Sequence, residues 1–192
     1  MMKHTPPHLP IVLAACGFAI LTFLLTGCHS LQAVHDNLPP PRVSGYAALY
    51  DLMNRNAGVS KLLIFKTVDP PVKQAIDEFA RQCAEAAKQI RQFAENDPSI
   101  DLNAAWLTPI EQQTRAGIES DTSTALLTGF GKEFQTHLLI SQTDAAQYGS
   151  HLAASIAKLD DNQTRKKYLN DLSDQLAKTH KQLFKLLEPP SP

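Results

Sequence analysis

Residues 70–96 read PPVKQAIDEFARQCAEAAKQIRQFAEN, and this stretch decides the fold. Its apolar side chains recur at alternating spacings of three and four residues, which places them on one face of an α-helix. They are Val72, Ile76, Phe79, Cys83, Ala86, Ile90 and Phe93. Asp69 is a suitable cap for its start, and Pro70 is favoured at the first helical position. Pro98 disfavours a helical conformation in the residue that precedes it, which predicts the end of the helix. We therefore predict a long amphipathic helix over residues 70–96.

The sequence before this helix predicts another over residues 45–67. Its apolar positions on one side are Tyr46, Leu49, Tyr50 and Met53. Ser44 is the predicted N-cap, because a serine hydroxyl can accept a hydrogen bond from a free backbone N–H at a helix start. Whether Gly58 interrupts this helix is left open.

Downstream, Thr108-Pro109-Ile110-Glu111 fits a capping box with proline at the first helical position, so a helix begins at residue 109. Ile110 and Ile118 give it a thin apolar stripe, and whether it ends near Ser120 or continues into the next helix is left open.

Two further helices are predicted, over residues 124–158 and 163–187, separated by the turn Asp160-Asp161-Asn162. The apolar face of the first comprises Leu127, Phe130, Phe134, Leu138, Ala145, Tyr148, Leu152 and Leu159. The second presents Leu169, Leu172, Leu176, Leu183 and Leu186. No stretch shows the period-two pattern of a strand.

Four long amphipathic helices cannot bury their apolar faces alone, so we predict an all-α four-helix bundle. The first two helices and the last two are joined by short links and should form antiparallel hairpins. The link between the hairpins spans about 27 residues, which is long enough to return along the bundle. A crossover is therefore expected, and a simple up-and-down order with a long loop is the alternative.

Length and charge limit the classes of function. The 192 residues suffice for one domain, and residues 1–27 contain one lysine and no acidic residue. The rest carries 17 basic and 19 acidic side chains, a formal net charge of −2. A nucleic-acid-binding protein is expected to be strongly basic, and this chain is not, so we predict no nucleic-acid partner.

An apolar run, Ile11–Leu25, follows the single positive charge of Lys3. It has the length of a signal-peptide core and is shorter than the roughly 20 residues of a membrane-spanning helix. The run ends in Leu25-Thr26-Gly27-Cys28, which resembles the lipobox of bacterial lipoproteins. The resemblance implies cleavage before Cys28, diacylglycerol on its sulfur and an acyl chain on its amino group. An uncleaved N-terminal anchor is the alternative.

The resemblance also suggests a location and a domain plan. His29 follows the lipobox cysteine where aspartate would imply retention in the inner membrane, so the expected site is the periplasmic face of the outer membrane. Pro39-Pro40-Pro41 favours an extended spacer. We predict a signal peptide over 1–27, a lipidated tether over 28–44, a helical domain over 45–188 and a tail over 189–192.

The remaining thiol, Cys83, lies within the apolar face of the 70–96 helix. Cys16 belongs to the leader and Cys28 is the predicted lipid site, so no intrachain disulfide is available to the processed chain. We expect Cys83 to be a buried apolar side chain rather than a reactive one.

The order of hairpin, long crossover and hairpin resembles the ferritin-like superfamily. Its di-iron members carry Glu-x-x-His motifs on two helices, and no such motif occurs here. The nearest match is Glu133 with His137; Glu78 and Glu85 lie on the 70–96 helix and His180 on the last helix. The metal chemistry of that family is therefore not carried over.

A polar strip follows one side of the 124–158 helix. At 100° per residue its members share a narrow arc and comprise Glu133, His137, Ser141, Asp144, Tyr148 and His151. We interpret the strip as a bundle flank and predict no metal, cofactor or catalytic residue. Were a metal bound, its candidate ligands would be Glu133, His137 and His151.

The sequence therefore predicts a non-enzymatic, lipid-anchored helical bundle with a structural or protein-interaction role, its partner being another envelope protein. The alternatives are a metal-binding or redox protein of ferritin-like type and a carrier of a small ligand, which would need an apolar cavity.

Overall fold

A computed structural model describes residues 39–104 and 107–188. The predicted signal peptide, Cys28, most of the tether and the tail lie outside these residues. Within these ranges, five α-helices and one 3-10 helix follow each other. They are α1 (Pro41–Asn56), the 3-10 helix (Val59–Ile64), α2 (Pro70–Asn96), α3 (Pro109–Thr128), α4 (Gly131–Leu159) and α5 (Gln163–Lys185). No strand occurs in the described ranges, so the prediction of an all-α domain is confirmed.

The first helix begins four residues earlier than predicted. Pro40 is extended, with φ −48° and ψ 142°, and Pro41 occupies the first turn, where its fixed φ suits a helix and its missing N–H is not needed. Ser44 is therefore inside α1 rather than its cap, and its hydroxyl donates to the Pro39 carbonyl oxygen at 3.0 Å. The interruption near Gly58 is present, since α1 ends at Asn56.

The bounds of α2 agree with the prediction, and its apolar face is buried from Val72 to Ile90. Asp69 occupies the N-cap position without capping the helix through its side chain. Its carboxylate instead accepts hydrogen bonds from Lys132 at 2.6 Å and from Gln135 at 3.0 Å. The residue predicted as a local cap therefore joins the start of α2 to the start of α4.

The prediction of a helix beginning at residue 124 is wrong. The 109–128 helix continues to Thr128, and α4 begins only at Gly131. Gly131 has φ +54°, which favours glycine, and a Cβ on Gly129 would lie 2.7 Å from the Ala125 carbonyl oxygen. The two glycines place Phe130 in an extended break, so Leu127 and Phe130 are exposed rather than buried as predicted.

The core is formed by α1, α2, α4 and α5. The side chains that are almost completely excluded from solvent include Tyr46, Leu49, Met53, Ile76, Phe79, Ile90, Phe134, Leu138, Leu139, Ile156, Leu169 and Leu176. Complete burial of an aliphatic or aromatic side chain contributes about 1.5–3 kcal/mol, so these residues dominate the stability of the domain. In contrast, no residue of α3 is buried.

The helix directions follow from contacts at the two ends of the core. At one end, Tyr46 near the start of α1 contacts Asp160 just after α4. At the other, Asp69 before α2 contacts Lys132 in the first turn of α4. We call the end with Tyr46 and Asp160 the entry end, and the end with Asp69 and Lys132 the far end. The helices α1 and α2 are antiparallel, as are α4 and α5, while α2 and α4 both run from the far end to the entry end.

Gly149 of α4 lies against side chains of both α1 and α5. A Cβ built on Gly149 would lie 3.1 Å from side-chain carbons of Met53 and Leu176 and 3.2 Å from one of Leu52. A glycine in the middle of a helix is normally unfavourable by about 1 kcal/mol relative to alanine, so its presence here is explained by the space it leaves.

We predict that Gly149→Leu lowers the free energy of unfolding by about 3 kcal/mol or more, because its side chain has to displace three packed neighbours. Gly117 in α3 is the control, since a Cβ there meets nothing within 4 Å. Gly117→Ala should raise the free energy of unfolding by about 0.5–1 kcal/mol. Urea unfolding followed by circular dichroism measures both, and equal effects would contradict the close packing.

Candidate functional site

The polar strip of α4 does not form a site. Glu133, His137 and His151 are all exposed on the outer side of the helix. Glu78 and Glu85 are engaged elsewhere, because both pair with Arg81 of their own helix, at 2.5 and 2.6 Å. Across the described ranges, no group of three or more His, Cys, Asp or Glu side chains is arranged to hold a metal ion.

Of the other members of the strip, Asp144 is exposed, while Ser141 and Tyr148 make local contacts. The Ser141 hydroxyl donates to the Leu138 carbonyl oxygen at 2.9 Å, so it is satisfied within α4. The Tyr148 ring lies 5.3 Å from the Arg115 guanidinium carbon, which joins α4 to α3. His180 of α5 has its Nδ1 3.2 Å from the Thr143 carbonyl oxygen.

Cys83 is completely buried, as predicted. Burial raises the pKa of its thiol to about 12, since the apolar surroundings disfavour the thiolate. The thiolate is the nucleophilic form, so this cysteine is chemically inert at neutral pH.

The sequence did not predict the most organised polar cluster in the described residues. Asp160, the residue directly after α4, is fully buried. Its Oδ2 accepts a hydrogen bond from the Tyr46 hydroxyl at 2.6 Å and one from the Arg165 Nε at 2.8 Å. Its Oδ1 accepts from a guanidinium nitrogen of Arg165 at 3.0 Å and from the Asn162 backbone N–H at 2.8 Å. Both oxygens of the buried carboxylate are therefore satisfied.

The cluster continues to the end of α2. Arg165 also pairs with Asp97 at 2.9 Å, and Arg42 lies 3.9 Å from the same carboxylate oxygen. Asp97 in turn accepts from the Ser99 hydroxyl at 2.6 Å. We call Arg42, Tyr46, Asp97, Asp160 and Arg165 the entry network. It joins the starts of α1 and α5 to the ends of α2 and α4.

The electrostatics of the entry network favour fixed charges rather than proton exchange. Burial alone would raise the pKa of Asp160, but the hydrogen bonds from Arg165 and Tyr46 lower it below the usual 3.8. Burial and the bond to Asp160 raise the pKa of Tyr46 above its usual range. The carboxylate is therefore ionised and the phenol protonated around neutral pH, so the network acts as a structural clamp.

Two signals in the sequence pointed toward this network. Asp160-Asp161-Asn162 was predicted as a capping turn, and Asn162 does cap α5, accepting from the Arg165 backbone N–H at 3.1 Å. Arg165 stands in the first turn of that helix, where a positive charge is unfavourable to the helix dipole. A nearby carboxylate explains such a placement, but only the tertiary structure shows that this carboxylate is that of Asp160.

Two surface grooves lie on the opposite part of α2. One, of about 610 Å³, is lined by α2 alone, from Pro70 to Arg81. The other, of about 420 Å³, lies between α2 and the last turns of α5, where Leu183 and Leu186 face Pro71. Both are open to solvent, and neither is lined by a residue of the entry network.

We predict that Asp160→Ala lowers the free energy of unfolding by about 3–5 kcal/mol, because it leaves Arg165 and the Tyr46 hydroxyl buried without their partner. The matched control is Asp161→Ala, whose side chain is exposed and should change stability by less than about 0.5 kcal/mol. Denaturant unfolding at neutral pH measures both. Similar values for the two variants would contradict the clamp.

The pH dependence of the folding stability tests the same variant in a second way. The pKa of Asp160 is lower in the folded chain than in the unfolded chain, so its contribution is present above the unfolded value of 3.8. That contribution is lost as the pH falls through the lowered folded-state pKa. The loss of stability on acidification should therefore be shallower in Asp160→Ala than in the wild type.

No protein-family model, no curated protein and no solved structure matches this chain. Among the described helices, none combines the length and the apolar character needed to cross a bilayer.

Proposed function

We propose that this protein is a lipid-anchored helical module of the bacterial cell envelope, held at the periplasmic face of the outer membrane, with a structural or protein-interaction role. The observation that carries the proposal is the lipobox-like Leu25-Thr26-Gly27-Cys28 at the end of an apolar run. The helical core downstream lies wholly between residues 46 and 183, so it remains intact after cleavage before Cys28.

Lipid chains are sufficient to hold such a domain at a membrane. Each buried CH₂ group contributes about 0.8 kcal/mol, and stable anchoring needs two chains. A diacylglycerol on the Cys28 sulfur supplies two before the amino group is acylated. Twelve residues separate Cys28 from Pro41, and a fully extended chain of that length spans about 40 Å. The length of the tether would therefore allow a separation of up to about 40 Å between Cys28 and Pro41.

The polar chemistry of the described residues supports a structural or interaction role rather than catalysis. The buried carboxylate of Asp160 is saturated by its partners, and the buried thiol of Cys83 is inert. The exposed positions of His137 and His151 do not favour the metal-binding or redox alternative. The open form of both grooves does not favour the small-ligand carrier.

We predict that Cys28→Ser abolishes both lipidation and cleavage of the leader, because the lipid is attached to the cysteine sulfur. Growth with a labelled fatty acid, followed by mass spectrometry of the N-terminus, measures both events. Cys16→Ser is the matched control, since Cys16 lies in the same leader but outside the motif. Lipid labelling that persists in Cys28→Ser, or a mature N-terminus elsewhere, would refute the anchor.

We further propose that the fold is a four-helix bundle with a ferritin-like crossover. Two features support this topology. The four core helices form two antiparallel hairpins, and the segment between them, which includes α3, connects the entry end to the far end. In a simple up-and-down bundle, α4 would instead run opposite to α2.

Spin labels distinguish the two orders. We predict a short distance between labels at residues 73 and 132, because Lys132 bonds Asp69 one turn before Lys73. Labels at residues 73 and 158 should be about 40 Å apart, because residue 158 lies 26 helical residues after residue 132. Both pairs are placed in the chain from His29 with Cys83→Ala and measured by pulsed electron paramagnetic resonance. The reverse order of distances would exclude the crossover.

A further inference from the structure

The far end of the domain exposes four large apolar side chains. Ile64 ends the 3-10 helix and Phe65 follows it, and their side chains are 74% and 85% exposed. Leu127 and Phe130 lie at the junction of α3 and α4 and are 65% and 75% exposed. We call these four residues the apolar tip. At about 200 Å² each, the two phenylalanines alone present roughly 320 Å², which is comparable to the largest apolar patch of a typical monomer.

Lys66 holds the two segments of the tip together. Its Nζ donates to the carbonyl oxygens of Leu127 and Gly129, each at 2.8 Å. The same Nζ lies 4.0 Å from the centroid of the Phe130 ring, a cation–π contact. The two segments that carry the exposed side chains are therefore hydrogen-bonded to each other through Lys66.

The tip is a protrusion rather than a socket. Its side chains come from two helix junctions, and none of the four lines either of the surface grooves. A folded protein partner would need a pocket shaped to receive them, whereas the fluid interface of a bilayer conforms to side chains that project from turns. Phe and Leu are among the residues that insert at this boundary.

The charges around the tip favour an anionic surface. Lys61 is exposed, and Lys66 and Lys132 flank the two apolar segments. Asp69 pairs with Lys132 at 2.6 Å and Glu133 is exposed, so the three lysines and two carboxylates of these segments leave one net positive charge. Lysine side chains beside inserted apolar residues can keep their ammonium groups in the headgroup layer.

The last turns of α5 add positive charge at this end. Leu183 and Leu186 share a groove with Pro71, which places the C-terminus of α5 beside the start of α2. Lys181 and Lys185 are exposed on these turns and the exposed Glu188 follows them, so the three groups add one net positive charge. A second copy of the chain is a poorer occupant, because a symmetric contact would bring protrusion against protrusion and lysines against lysines.

We propose that the apolar tip inserts into the interface of a bilayer containing anionic lipid. The insertion is a second membrane contact, distinct from the lipid at Cys28 and independent of it. The tip lies at the far end, opposite the end where the described chain begins. Chain length does not prevent the two contacts from reaching one bilayer, because twelve residues, if fully extended, would span about 40 Å, which is about the length of a 26-residue helix.

The test uses the chain from His29 onward, which lacks the leader and Cys28 but contains the whole core. Sedimentation with phosphatidylglycerol vesicles and with phosphatidylcholine vesicles measures the partition coefficient. We expect binding to the phosphatidylglycerol vesicles, reduced by added salt. Phe65→Ser should lower the partition coefficient about tenfold, and Lys61→Glu should lower it on anionic vesicles alone.

Ile118→Ser is the matched control, because Ile118 is 62% exposed on α3 but lies outside the tip. It should bind as the wild type does, and all variants should keep the wild-type melting temperature. Failure of the wild type to sediment, or equal binding by Phe65→Ser, would overturn the proposal. Concentration-dependent dimerisation abolished by Phe65→Ser would also overturn it, by assigning the tip to a second copy.

Discussion

The burial of one ionised carboxylate, that of Asp160, is the constraint on which the entry end depends. An isolated buried charge is strongly unfavourable, so it persists only where donors surround it. Here the donors come from α1 through Tyr46, from α5 through Arg165 and from the turn between α4 and α5. Because Arg165 also pairs with Asp97, the same charge fixes the end of α2. Among the described residues, the far end has no comparable buried charge. Its contacts through Asp69 and Lys66 leave apolar side chains exposed there.

Local patterns predicted the bounds of α2 but not those of every helix. The apolar spacing from Val72 to Phe93, with Pro70 before it and Pro98 after it, was sufficient for α2. The boundary between α3 and α4 was missed because apolar residues continue through it. What divides the helices is the backbone of Gly129 and Gly131, which periodicity does not register. The start of α1 was missed because a proline triplet was interpreted as spacer, although its last member is a suitable first residue of a helix.

The candidate site was less accessible from the sequence, for a physical reason. Helical periodicity correctly grouped His137 and His151 on one side of a helix, but it carries no information on what that side faces. The contact between Tyr46 and Asp160 joins residues 114 positions apart, and only the packing of α1 against α4 brings them together. Tyr46 was recognised as an apolar position, and its hydroxyl became informative only when its buried acceptor was known.

The helix α3 differs from the others because no residue within Pro109–Thr128 is buried. Its links to the rest include an ion pair between Arg55 and Glu119 and the contact of Arg115 with Tyr148. Detaching α3 would expose little of the core, so we expect this helix to open locally more readily than the core helices. Amide protons in α3 should therefore exchange earliest, and a protease should nick the chain there first. The two hairpins would stay associated through the core after such a cut, as non-covalent halves of one domain.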